Sequence, residues 1–133
     1  MAGTLAYVDS SAYLKLLFAE EESAALEVVL TEWPHLVSST LLEVEMHRAA
    51  YREGVPAVEC EALLGAVTLL DIDESTRARA ERIGQSELRA LDAIHLASAA
   101  GLGNQLGILF AYDQRMIEGG LLEGLPVWAP RPP

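Results

Sequence analysis

The chain has 133 residues, the size of one ordinary domain and too short for two. Its 51% hydrophobic content excludes a disordered chain and supplies a core without disulfides or a structural metal. Twenty Asp and Glu against nine Lys and Arg leave a formal net charge of -11, which argues against a non-specific nucleic-acid binder held by a basic surface. Cys60 is the only cysteine and has no metal-ligand spacing around it, so it reads as a buried thiol. No basic leader precedes the first apolar run, and no apolar stretch approaches the roughly 20 residues that span a bilayer. The expectation is a single domain over residues 1–133, soluble, cytoplasmic and not membrane-bound.

In chain order, Thr4 to Val8 is β-branched and aromatic and runs into Asp9-Ser10-Ser11, a strand followed by a helix N-cap. Ala12 to Phe18 continues as one or two helical turns. The acidic Glu20-Glu21-Glu22 opens a helix over roughly 22–32, where acids suit the positive end of the helix dipole. Trp33-Pro34 breaks it. His35 to Val37 is a short strand, and Ser39 and Thr40 cap a helix that runs to about Glu53 and stops at Gly54. A helix from Pro56 to about Ala66, a strand from Val67 to Ile72, and helices over Asp73–Gly84 and Glu87–Ala100 follow. Gly107 to Tyr112 is a buried strand ending in Asp113, then a short helix reaches about Glu118, and Pro126 to Trp128 is a last strand. Strands alternating with helices predict a three-layer α/β domain: a central parallel sheet flanked by helices.

Ligands of open parallel α/β sheets bind beyond the carboxyl ends of the strands. Two predicted strands end there in an acid, Asp9 after Leu5–Val8 and Asp113 after Ile108–Tyr112. Each reads two ways, as a helix cap or as a ligand at the sheet edge. Two further acids lie on apolar helix faces. Glu45 shares a stripe with Leu41, Leu42 and Ala49, and Asp92 shares one with His95, Leu96 and Ala99. An acid on a packing face needs a cation, a donor or a metal. If Asp9, Glu45, Asp92 and Asp113 converge, two carboxylates about 5 Å apart repel by roughly 3 kcal/mol at an effective dielectric of 20. Such a cluster either raises its pKa values or takes up divalent cations. All-carboxylate ligation suits Mg²⁺ or Mn²⁺, and the chemistry it favours is metal-assisted phosphodiester hydrolysis by activated water.

These residues are where the chain resembles the PIN-domain ribonucleases, and within them the VapC-type toxins of bacterial toxin–antitoxin pairs. Val8-Asp9-Ser10-Ser11-Ala12, the Ser39–Ala49 helix with Glu45 three residues before Arg48, Leu91-Asp92-Ala93-Ile94-His95-Leu96-Ala97, and Tyr112-Asp113-Gln114-Arg115-Met116 followed by Gly124-Leu125-Pro126-Val127 stand in the family's order. The resemblance implies a Mg²⁺- or Mn²⁺-dependent endoribonuclease with Asp9, Glu45, Asp92 and Asp113 as catalytic and metal-binding acids. It further implies a homodimer and inhibition by a VapB-like antitoxin whose tail lies beside the acids. One departure is Ala111, where the family often carries Ser or Thr two residues before the last acid.

The remaining residues have two readings each. Ser10 and Ser39 either bond the acid cluster or cap helices. Arg48 is a partner for Glu45 or a solvated arginine, and Arg115 is a candidate phosphate contact, since its fork matches phosphate oxygens. His95 reads as a packed, hydrogen-bonded histidine rather than a catalytic base. Arg77, Arg79, Arg82 and Arg89 form the one basic concentration, either a solvated face or an RNA-facing patch. Two alternatives to an RNA-cutting toxin stand beside it: a PIN-like binding module that has lost catalysis, which Ala111 would permit, and another metal-dependent phosphohydrolase acting on DNA or phosphomonoesters. The acidity then acquires a second meaning. It predicts weak non-specific RNA affinity and a ready fit for a basic antitoxin tail, while part of it forms the site that would cut RNA.

Overall fold

The structure is a computed structural model and describes residues 3–133. Five strands form one parallel sheet in the order β3-β2-β1-β4-β5. They are β1 (Leu5–Val8), β2 (His35–Ser39), β3 (Val67–Leu70), β4 (Leu106–Phe110) and β5 (Val127–Trp128). Seven α-helices connect them: α1 (Ser10–Tyr13), α2 (Ser23–Leu30), α3 (Thr40–Glu53), α4 (Ala57–Leu64), α5 (Glu74–Ala80), α6 (Ala90–Ala100) and α7 (Gln114–Leu122). Single 3₁₀ turns at Leu14–Leu16 and Gly103–Gln105 complete the helical content of the described residues. No helix among the described residues is long and apolar enough to cross a membrane.

Period-two alternation along the strands divides the interior into two cores. Ala6, Val8 and Phe110 face one side, where Leu26 and Leu30 of α2, Leu42, Met46 and Ala50 of α3, and Cys60 and Leu64 of α4 cover them. Tyr7, Leu109 and Val37 face the other, beneath Ala93, Leu96 and Ala97 of α6 and Met116 of α7. The three expected layers are therefore present, and Cys60 is the buried thiol that its sequence suggested. The chain lays down β1, β2 and β3 outward in one direction, then returns to the far side of β1 for β4 and β5. The order reverses between β1 and β4, the switch point at which parallel sheets open a crevice.

Local chemistry starts the helices at the carboxyl edge. Asp9 and Asp113, after their strands, and Ser39, the last residue of β2, each accept a backbone N–H of the next helical turn, which satisfies an otherwise orphaned donor. Gly54, at φ 74°, ends α3 in the left-handed region as expected. The elements otherwise differ from expectation mainly at their ends: α5 stops at Ala80 rather than Gly84, and α6 begins at Ala90 rather than Glu87. The larger difference is α7, which continues past Glu118 to Leu122 through Gly119 and Gly120. These glycines permit close packing rather than a stop. A Cβ on Gly120 would lie 2.5 Å from Val127 Cγ2 of the neighbouring strand β5.

Alanine normally favours a helix interior over glycine by about 1 kcal/mol. At Gly120 the collision with a stiff β-branched side chain reverses that sign. Gly120→Ala is expected to lose roughly 1–3 kcal/mol, read as a fall of several degrees in a thermal melt. A rise in melting temperature would contradict the packing described.

Candidate active site

The carboxyl edge at the β1/β4 switch point gathers the acids. Asp9 ends β1 and is only 3% exposed. Its Oδ1 caps α1 by accepting the Ala12 N–H at 2.9 Å, and Ser11 Oγ lies 2.8 Å and 3.0 Å from its two oxygens. Burial lifts the Asp9 carboxyl to a pKa of about 6. The His95 charge, the Ser11 hydroxyl and the Ala12 N–H oppose that rise, and the Asp92 charge adds to it. No Lys or Arg forms an ion pair with it among the described residues.

Asp113 follows β4 and caps α7, its Oδ1 accepting the N–H groups of Arg115 and Met116 at 3.1 Å and 3.2 Å. Capping and a place at the sheet edge are thus compatible, because the cap of Asp113 uses one carboxylate oxygen. Ser11 joins the two strand ends, since the same Oγ accepts the backbone N–H of Tyr112 at 2.9 Å and of Asp113 at 3.2 Å. Ala111, buried at the end of β4, has no hydroxyl to give; the hydroxyl at this junction belongs to Ser11.

Asp92 stands in the first turn of α6 and is partly exposed. Burial raises its carboxyl above the ordinary range, and the charges of Asp113 and Glu45 push in the same direction, against His95 and Arg89. Glu45 projects from α3, on the opposite layer. Its Oε1 accepts from His95 Nε2 at 2.6 Å and its Oε2 from Ser10 Oγ at 3.2 Å. His95 is 1% exposed, and its Nδ1 shares a 2.7 Å hydrogen bond with the hydroxyl of buried Tyr7.

Four acids, at the ends of β1 and β4 and on α3 and α6, therefore lie toward one rim, and Asp92 is within charge range of the other three. Their oxygen donors suit a hard divalent cation, and a nearly dry carboxylate with no Lys or Arg beside it is an acceptor in want of a counter-charge. No three His, Cys, Asp or Glu side chains among the described residues stand together as a ready-made metal cage. The rim is open.

The other residues singled out in the sequence distribute as follows. Ser10 reaches the cluster through Glu45. Ser39 caps α3 through the Leu41 N–H at 3.1 Å. Arg48 does not pair with Glu45. That carboxylate turns inward to His95 and Ser10, and the Arg48 guanidinium lies outside, 5.9 Å from the Tyr51 ring centroid. Arg115 is exposed on the first turn of α7, and its carbonyl accepts from Gln85 Nε2 at 2.9 Å. Arg77, Arg79, Arg82 and Arg89 are all exposed. His95 is packed and hydrogen-bonded as its spacing suggested, but its partners Tyr7 and Glu45 are 88 and 50 residues away. No local signal in the sequence pairs them. The bridging role of Ser11 was equally hidden behind its place in a helix start.

The chain is similar to several known proteins. A family model described as the PIN domain matches residues 6–119. Ribonuclease VapC46 of Mycobacterium tuberculosis is 41% identical over 125 residues, covering 93% of this chain and 96% of that protein. Ribonuclease VapC47 of the same organism is 39% identical over 119 residues, covering 85% and 88%. Among solved structures, M. tuberculosis VapC20, described as a sarcin–ricin loop cleaving toxin, superposes with a TM-score of 0.73 at 18% identity, over 96% of this chain and 99% of that one. A toxin–antitoxin complex from Klebsiella pneumoniae gives a TM-score of 0.66 at 21% identity, over 86% and 91%.

The buried Asp9 carboxylate has a thermodynamic signature. Its native pKa of about 6 exceeds the ordinary 3.8, so between those values the native state binds more protons than the unfolded chain. The Asp9 contribution to stability therefore falls as pH rises through that window. Asp9→Asn keeps the shape and the Ala12 cap without the charge. In chelator, its stability advantage over wild type is expected to grow from about pH 4 to about pH 6 and level at roughly 3 kcal/mol. Paired urea denaturation curves measure it, and a pH-independent difference would refute the assignment.

Proposed function

The chain belongs to the PIN-domain family, and on that footing we propose that it is an endoribonuclease acting as the toxin of a toxin–antitoxin pair. The observation that carries the reading is the gathering of Asp9, Glu45, Asp92 and Asp113 toward the switch-point edge, Asp92 within charge range of the other three and no Lys or Arg ion-paired to any of them among the described residues. The likeness to proteins named ribonuclease VapC over nearly the whole chain supports it. One domain over residues 1–133 carries the activity. The substrate is RNA, the cation Mg²⁺ or Mn²⁺, and the compartment the cytoplasm. The protein pairs with a copy of itself and with a VapB-like antitoxin, whose basic tail would answer the acidic rim.

In this reading Asp9, Glu45, Asp92 and Asp113 hold the cation. When bound, a divalent ion offsets negative charge on a scissile phosphate and makes water a competent nucleophile near neutral pH. The chain's own residues prepare that chemistry. Ser11 and the Ala12 N–H orient the Asp9 carboxylate, and the buried end of β1 keeps bulk water from it. Ser10 and His95 hold the two oxygens of Glu45. Asp92 and Asp113, both open to solvent, form the side on which a phosphodiester can approach. Arg115, exposed on the first turn of α7 beside Asp113, would contact a flanking phosphate.

The test is direct. Wild-type protein should cleave RNA in Mg²⁺ or Mn²⁺ and lose that activity in chelator. Asp92→Asn should cut the rate by roughly 100-fold or more, the scale of removing one group that stabilises transition-state charge. Mn²⁺ should also raise the wild-type melting temperature, because a ligand of the native state stabilises it, and should raise that of Asp92→Asn less. Equal cleavage by Asp92→Asn would reject the site. Absence of both cleavage and Mn²⁺ stabilisation would select a binding module without catalysis, and cleavage confined to DNA or phosphomonoesters would select another phosphohydrolase.

A further inference from the structure

Tyr7 of β1 and His95 of α6 are polar side chains buried between the sheet and its α6 layer. The hydroxyl of Tyr7, 0% exposed, meets His95 Nδ1 at 2.7 Å, and the two rings stand edge to face with centroids 5.8 Å apart. His95, 1% exposed, meets Glu45 Oε1 at 2.6 Å. Apolar residues of the same volume would fill this space without burying polar atoms, and a buried polar chain is specific only when all of its members are satisfied. This one is satisfied along its length and terminates on a rim carboxylate.

A carboxylate can only accept, so His95 Nε2 carries the hydrogen that faces Glu45. The other ring nitrogen is fixed by Tyr7, which sets the ring's orientation from the interior of β1. Ser10, at the start of α1, holds the second carboxylate oxygen at 3.2 Å. Glu45 sits on a long, flexible side chain on the layer opposite His95, and donors from two different elements remove its rotational freedom.

We propose that His95, oriented by Tyr7, is a positioning residue that holds the Glu45 carboxylate in place for the cation at the acid rim. The chain Tyr7–His95–Glu45 couples the packing of the central strand to the geometry of a ligand that α3 alone would leave mobile. The proposal deepens the metal-site reading above and rests on it, since a positioned Glu45 has a consequence only if the rim takes up a cation.

The experiment compares wild type with His95→Gln, which keeps an N–H donor of similar reach, His95→Leu, which keeps bulk and loses the donor, and Tyr7→Phe, which removes a single oxygen. Mn²⁺ affinity is measured by calorimetry, and the His95 ring-nitrogen and Glu45 carboxyl signals by NMR on metal-free protein. Expected are a protonated His95 Nε2 in wild type, Mn²⁺ binding about tenfold weaker in His95→Leu and about threefold weaker in Tyr7→Phe, and substantial recovery in His95→Gln. A loss caused by core damage alone would follow melting temperature and would not be restored by the glutamine donor. Mn²⁺ binding by His95→Leu equal to wild type, equal losses in the leucine and glutamine variants, or an unprotonated Nε2 would each overturn the proposal. Should His95→Leu fail to fold, Tyr7→Phe decides: an unchanged Mn²⁺ affinity and an unchanged ring-nitrogen spectrum overturn it. Should wild type take up no Mn²⁺, the metal-site reading and its positioning consequence fail together, while a protonated Nε2 and a Glu45 signal that shifts in His95→Leu but not in His95→Gln would show that the chain itself persists.

Discussion

Asp9 places a carboxylate at the dry end of the central strand, and the rest of the carboxyl edge is organised around that cost. Burial lifts its pKa to about 6, and a charge there needs compensation. The fold meets part of the demand with a hydroxyl, a backbone N–H and the nearby His95. No Lys or Arg forms an ion pair with Asp9 among the described residues. The remainder of the field is available to a cation, and the other three acids supply more oxygen donors on the same rim. A site of this kind gives up stability in its empty form for a strong local preference for positive charge, the usual exchange at functional centres.

Two hydrogen-bonded connections hold the rim together across elements remote in the chain. Ser11 fastens the end of β1 to the end of β4 through the Tyr112 and Asp113 backbone. His95 fastens α6 to α3 through Glu45, and Tyr7 anchors that link in the core. The first spans the strands on either side of the switch point and the second spans the two helical layers. Each of the four acids is thereby tied to a rigid element, by capping in Asp9 and Asp113, by side-chain donors in Glu45 and by its place in the first turn of α6 in Asp92. Such support is what keeps a polar constellation within productive geometry.

Charge is distributed unevenly over the molecule. Arg77, Arg79, Arg82 and Arg89 lie in the segment from α5 to the start of α6, and Arg115 on α7, all exposed. Lys15, by contrast, is held by Glu20 and Glu22 at 2.7 Å and 2.8 Å and lies over Tyr112, so it braces the segment after α1. A net charge of -11 keeps general attraction to nucleic acid weak. Recognition of RNA would then depend on the shape of the rim and on local contacts rather than on a broad basic surface.

Much of this was legible in the residues themselves. Alternating strands and helices identified the layers, and acids directly after two β-rich runs and on apolar helix faces pointed to four candidate carboxylates, because period, capping and burial preference are written over a few neighbouring positions. What the linear pattern left open depended on strand order. Only the arrangement β3-β2-β1-β4-β5 brings Ser11 to residues about a hundred positions away and Glu45 to His95 fifty positions away, and it turned Glu45 from the nearby Arg48 toward the interior. The continuation of α7 through Gly119 and Gly120 was decided in the same way, by the closeness of Val127 on β5. Local sequence carries the preferences of each element, whereas the raised pKa of Asp9, the hydroxyl bridge and the histidine link arise from desolvation and distance, which exist only once the layers have packed.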